Sequence, residues 1–300
     1  MNQLYYIYNI WCKLINKYHI VYVYTIHFKD ILILFFCRKR KAVATPSPFF
    51  FNRQFVAHGR FLISGMPNNS IKLYKELICR GYKILECDIM FTKDNVPVLC
   101  HDSNLKEFAK DNKGMPVDKE ISKLTLNDIR QYNFAVTSNE FIQISILEDV
   151  LSLCKKYEVC LELDLEKKYW GRDRFLILYN LVSKYNMLDK VIWEVSPLDF
   201  ESLASIDTSL VYQFDHKWTI DEIEKMKSRK KFSSLIILSE WFPGVIVNDY
   251  NKIIDKAHSY GFVMKCATLN SQEEVDKIIH QGVDLITTDS LTNEFFKYDK

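Results

Sequence analysis

Three segments of the chain share one grammar. "NSIKLYKELICRGYKILECD", "DYNKIIDKAHSYGFVMKCATLN" and "SQEEVDKIIHQGVDLITTD" each read as an amphipathic helix, a glycine and a short apolar strand. Gly81, Gly261 and Gly282 stand where a helix takes a left-handed C-terminal residue. With only eight glycines in 300 residues, three in one role form a pattern. Ser271, followed by Glu274, adds a capping box at the head of the last helix.

The same alternation fits the rest of residues 52–300. Strands are predicted at Gln54–His58, Lys83–Ile89, Val159–Leu165, Val191–Val195, Leu210–Gln213, Ser234–Ser239, Phe262–Thr268 and Asp284–Thr288. Helices are predicted between them at Leu147–Tyr157, Arg172–Tyr185, Pro197–Ala204 and Ile220–Arg229. Parallel βα units follow from that order, and eight is the number that closes a (β/α)8 TIM barrel. An open doubly wound sheet is the alternative. It calls for a Gly-rich loop after the first strand, and none occurs. A hydrophobic share of 48% is ample for such a core, and a net charge of +2 gives no support to a nucleic-acid partner.

Residues 1–51 differ in kind. They are aromatic and β-branched, end in the basic run Arg38-Lys39-Arg40-Lys41, and pass into a linker holding Pro46 and Pro48. His19 to Cys37 has the length of a membrane span, about 20 residues. Lys29 and Asp30 at its centre each cost about 2.5–3.5 kcal/mol on insertion. The segment therefore suits a membrane surface better than a spanning helix, with residues 1–41 as the candidate contact. A packed or loosely ordered extension is the alternative. No small-residue cleavage site follows the apolar part. The eight cysteines form no C-x-x-C pair and no zinc spacing. Buried reduced thiols and a cytoplasmic location are expected.

Chemistry-bearing residues collect at the predicted C-terminal ends of the strands, where barrel enzymes keep their sites. His58 ends the first strand. Glu86 and Asp88 lie two apart on the second, and a hairpin after it delivers His101-Asp102. Glu162, Asp164 and Glu166 share one face of the third. Converging carboxylates repel unless a proton or cation intervenes, and an all-oxygen donor set favours one hard divalent ion, Mg²⁺ or Ca²⁺. His58 and His101 suit a general acid/base pair. Asp102 serves to orient His101 or forms a turn.

These residues resemble those of the glycerophosphodiester phosphodiesterase family, (β/α)8 relatives of the phosphatidylinositol-specific phospholipases. The resemblance runs through "VAHGR", "PNNS", "LECDIMFTKDNVPVLCHD", "ISKLTLNDIRQ" and "HQGVDLITTD", over roughly residues 54–290. It implies a TIM barrel with a small hairpin insertion after the second strand, and a metal-dependent phosphodiester hydrolase. It implies His58 and His101 as the catalytic pair and Glu86, Asp88 and Asp164 as metal ligands. Arg60, Glu162 and Glu166 then fall among the substrate-binding positions. Departures are the order His58-Gly59-Arg60 in place of His-Arg-Gly, Glu166 where the family has Lys, and Ala267 where it has Trp. Asn68 or Asn69 is expected to cap the first helix. A phospholipid-cleaving phosphodiesterase of the same superfamily and a non-catalytic phosphate- or metal-binding barrel are the alternative functions.

Overall fold

A computed structural model describes residues 54–134, 140–165, 170–216, 218–228, 235–241 and 250–291. The elements run β1 (Gln54–Ala57), α1 (Ile71–Cys79), β2 (Ile84–Phe91), β3 (Pro97–Leu99), α2 (Leu126–Ile129), α3 (Leu147–Tyr157) and β4 (Cys160–Asp164). They continue α4 (Gly171–Lys184), β5 (Val191–Glu194), α5 (Pro197–Ala204), β6 (Val211–Asp215), α6 (Ile220–Ser228), β7 (Ile236–Trp241), α7 (Tyr250–Ser259), β8 (Val263–Ala267), α8 (Gln272–Ile279) and β9 (Leu285–Thr288).

Eight strands are parallel and form a ring. β1 pairs with β2 on one side and with β9 on the other, which closes the sheet into the expected TIM barrel. β3 is the exception. It folds back antiparallel on β2, with Ile89 opposite Leu99 and Phe91 opposite Pro97. This hairpin begins the insertion predicted after the second strand.

Local sequence accounts for the helix ends. Gly81, Gly261 and Gly282 all have positive φ, at +88°, +73° and +100°, so each accepts a backbone turn that a Cβ would strain. The Ser271–Glu274 capping box is present in both directions. At the head of α1 the cap is Ser70, whose hydroxyl accepts from Leu73 N at 3.1 Å. The cap expected at Asn68 or Asn69 thus falls one residue later. Asn69 instead takes a left-handed φ of +54° and turns its amide into the barrel.

Two apolar layers sandwich the strands. The larger lies between strands and helices. The smaller includes Val56, Ile84, Cys160, Ile192, Val263 and Leu285 and forms a floor inside the ring. Strand side chains alternate between faces, so residues two positions after the floor also point inward, nearer the mouth. There the lining becomes polar, with Glu86, Glu162, Glu194, Gln213 and Lys265 all buried. Cys87, Cys100, Cys154, Cys160 and Cys266 are buried free thiols, and Cys79 is exposed. No helix among the described residues is long and apolar enough to cross a membrane. The segment His19 to Cys37 lies outside the described residues.

Candidate active site

The three predicted metal ligands converge. Glu86, Asp88 and Asp164 each offer a carboxylate oxygen, and these atoms lie within 4.8 Å of one another. Cross-strand register brings this about: Glu86 pairs with Glu162 and Asp88 with Asp164 across β2 and β4. Glu86 Oε2 accepts the backbone N–H of Gly59 at 2.6 Å. Asp88 is clasped by Asn69, whose Nδ2 donates to Oδ2 at 2.7 Å while its Oδ1 accepts Asp88 N at 3.1 Å. The Tyr74 hydroxyl lies 2.9 Å from Asn69 Oδ1 and 3.1 Å from Glu86 O, which fixes the clasp from behind.

Burial, and next the neighbouring Asp88, push the Glu86 carboxyl up to about 8. Desolvated carboxylates that resist ionising together are what a hard divalent cation relieves. The donor set therefore fits such an ion.

The two histidines flank this trio in matching poses. His58 follows β1 directly, one residue beyond the strand's last pairing. Its Nδ1 lies 2.6 Å from Asp289 Oδ1, and its Nε2 lies 3.7 Å from Glu86 Oε2. Burial opposes a positive imidazole there, but Glu86 and then Asp289 outweigh it, and the His58 pKa is raised. His101 arrives on the hairpin. Cys100 N donates to Asp88 O at 3.1 Å, which ties the return strand to the backbone of Asp88. His101 Nδ1 lies 2.5 Å from Asp102 Oδ1, so Asp102 orients the ring. Its Nε2 lies 3.2 Å from Nη1 of Arg60. In both rings Nδ1 is within hydrogen-bond distance of a carboxylate, while Nε2 faces Glu86 in His58 and Arg60 in His101.

Glu162 sits deeper than a substrate-facing residue. It is 1% exposed, and its Oε1 accepts from Lys265 Nζ at 2.5 Å. Gln213 Nε2 donates to Glu194 Oε2 at 2.6 Å and to Glu162 Oε1 at 3.3 Å, linking the far strands to this pair. Burial, and next Asp215, hold Glu194 far above the usual carboxylate range. Glu166 lies outside the described residues.

Sequence reasoning left Asp289, Asn270 and Lys265 unassigned and gave Asn69 the wrong task. Signals for two of them were present. Lys265 interrupts the apolar strand "FVMKCA" as Glu86 interrupts its own, and Asp289 follows a strand end at the same rim as His58.

The fold recurs in solved structures. A glycerophosphodiester phosphodiesterase from Parabacteroides distasonis superposes with a TM-score of 0.65 at 18% identity, over 82% of this chain and 96% of that one. One from Agrobacterium tumefaciens gives 0.63 at 16% identity, over 81% and 98%. An Oleispira antarctica phosphodiesterase in complex with the product sn-glycerol-3-phosphate gives 0.64 at 17% identity, over 80% and 94%. Among curated proteins none matches. The model of the glycerophosphoryl diester phosphodiesterase family matches residues 62–292, an interval that opens just after His58-Gly59-Arg60 and spans more than half of the sequence. The chain therefore belongs to the glycerophosphoryl diester phosphodiesterase family.

Proposed function

We propose that this chain hydrolyses a glycerophosphodiester to an alcohol and glycerol 3-phosphate, with His58 and His101 as the proton-transfer pair. One divalent cation, Mg²⁺ or Ca²⁺, is held by Glu86, Asp88 and Asp164. The observation that carries this reading is the pose of the two rings beside a carboxylate trio, each with Nδ1 hydrogen-bonded to a carboxylate and Nε2 making no hydrogen bond to one. The product bound to the Oleispira antarctica phosphodiesterase supports glycerol 3-phosphate as the product class.

When bound, the cation supplies Lewis-acid polarisation of a phosphate oxygen and acidifies a neighbouring hydroxyl. The chain's own groups move the protons. His101, whose Nε2 lies 3.2 Å from Arg60 Nη1, is the starting base in this reading. It takes the proton of the glycerol 2-hydroxyl as that oxygen attacks phosphorus. The bond from phosphorus to the alcohol breaks, and His58 Nε2 gives its proton to the leaving oxygen. Water then opens the cyclic phosphate with the two roles reversed. Arg60, exposed and beside His101, receives the phosphate in this reading.

Residues 1–51 are read as an extension separate from this working domain, with the basic run as a membrane-surface contact on the cytoplasmic side. Binding to anionic vesicles that disappears when Arg38–Lys41 are neutralised supports that contact.

A panel of glycerophosphodiesters incubated with the purified chain and Mg²⁺, Ca²⁺ or chelator tests the activity. Glycerol 3-phosphate release that chelator abolishes is the expected result. Release unaffected by chelator rejects the metal role. Metal binding with no diester cleaved favours a binding barrel, and cleavage of intact phospholipid in preference to soluble diesters favours a lipid phosphodiesterase.

A further inference from the structure

Lys265 is the residue least explained by the reaction. It lies mid-strand on β8 between buried apolar neighbours, is 2% exposed, and points into the lumen. Its Nζ lies 2.5 Å from Glu162 Oε1 and 3.2 Å from Gln213 Oε1. Isolating an ammonium from water is strongly unfavourable unless the charge is matched, and Glu162 matches it.

Glu162 itself needs an explanation. It is opposite Glu86 in the β2–β4 register and two residues before Asp164 on the same face. It therefore stands directly inward of the trio, a fourth carboxylate outside the group that can share an ion. Its Oε2 is buried with no hydrogen-bond partner among the described residues. Uncompensated, it would pull a cation inward or repel the ligands above it.

We propose that Lys265 is a built-in cation that neutralises Glu162 and so confines the divalent ion to Glu86, Asp88 and Asp164. This rests on the trio being the metal site. The tethered ammonium stands where a metal ion would otherwise be drawn, and it needs no capture from solution because its desolvation is part of folding. Removing it exposes Glu162 to the bound ion. Removing Glu162 instead takes away the carboxylate nearest the ammonium and leaves more uncancelled positive charge beneath that ion, offset only by Glu194 and Asp215. The two deletions must act in opposite directions.

Isothermal titration of the full chain with Mn²⁺ or Ca²⁺, in the absence of substrate, reads this directly. Lys265→Met is expected to tighten ion binding by about 10–100-fold or to admit a second ion, and Glu162→Gln to weaken it by about 10–100-fold. The double variant is expected to return close to wild type. Both single variants weakening binding, or neither changing it, overturns the proposal, because a packing role has one sign. If circular dichroism shows Lys265→Met unfolded, Lys265→Gln, which removes the charge and keeps a polar group, takes its place, and weakened or unchanged affinity there overturns the proposal. A wild-type chain that binds no divalent ion overturns the reading of the trio, and this proposal with it.

Discussion

Asp289 Oδ1 lies 2.6 Å from His58 Nδ1, although 231 positions separate them in the chain. Asp289 is itself held: its Oδ2 accepts from Asn270 Nδ2 at 2.9 Å, and its N–H donates to Asn270 Oδ1 at 2.8 Å. This clamp keeps a hydrogen on His58 Nδ1 in both its acid and its base form. Asp289→Asn offers an amide in place of the acceptor and turns the tautomer around. It should lower kcat by about 10²–10⁴-fold, as should His58→Ala or His101→Ala. Steady-state kinetics check this, and an Asp289→Asn enzyme with full kcat counts against the clamp.

Metal affinity should depend on pH through Glu86. Its folded value of about 8 stands above the ordinary 4.5, so between those values the metal-free fold holds a proton that the unfolded chain releases. Stability of the metal-free protein should therefore fall as pH rises from 4.5 through about 8. Ion binding must displace that proton, so affinity should rise over the same window, by up to about tenfold per pH unit. Calorimetry and thermal melts at pH 6, 7 and 8 measure both trends, and a flat affinity profile contradicts the assignment.

Gly59 leaves no room for a side chain. A Cβ there would meet Asn69 Oδ1 at 2.6 Å and Glu86 O and Oε2 at 3.1 Å each. Gly59→Ala must push apart the two residues that hold Glu86 and Asp88. We expect ion binding weakened by about 10–100-fold and a stability loss of about 1–3 kcal/mol. Titration and melting of the variant test this. The swapped order His58-Gly59-Arg60 thus puts a glycine at the close contact with Asn69 and Glu86 and the guanidinium beside His101.

Much of this site was legible in the sequence, for physical reasons. Hydrophobic period and left-handed helix ends are local properties, so the strands and Gly81, Gly261 and Gly282 could be read directly. Parity along a strand is local too, and it put Glu86 and Asp88 on one face. The partners were not local. Lys265 finds Glu162 across 103 residues and His58 finds Asp289 across 231, and only closure of the ring sets those distances. Asn69 misled for a subtler reason. Cap chemistry favours Asn and Ser almost equally, and a left-handed φ at Asn69 passed the cap to Ser70.

The opposite face of the barrel offers a pH test unconnected with catalysis. His258 Nε2, in the last turn of α7, lies 2.8 Å from Asp284 Oδ2. That bond raises the His258 pKa against the opposing effect of burial. The stabilisation tied to its proton is complete below the ordinary 6.5 and is lost as pH rises through the raised folded value. The Tm advantage of wild type over His258→Gln should be larger at pH 5.5 than at pH 8.5. An equal difference at both rejects the linkage.

Ring closure by β1 and β9 also sets an order in time. A polypeptide leaving the ribosome has made both histidines and all three trio carboxylates well before it has made Asn270 and Asp289. Until the final strand docks beside the first, His58 has no clamp. On the proposed mechanism, an unfinished chain would carry the ion's ligands before it could direct proton transfer, and turnover would wait for the final strand to dock.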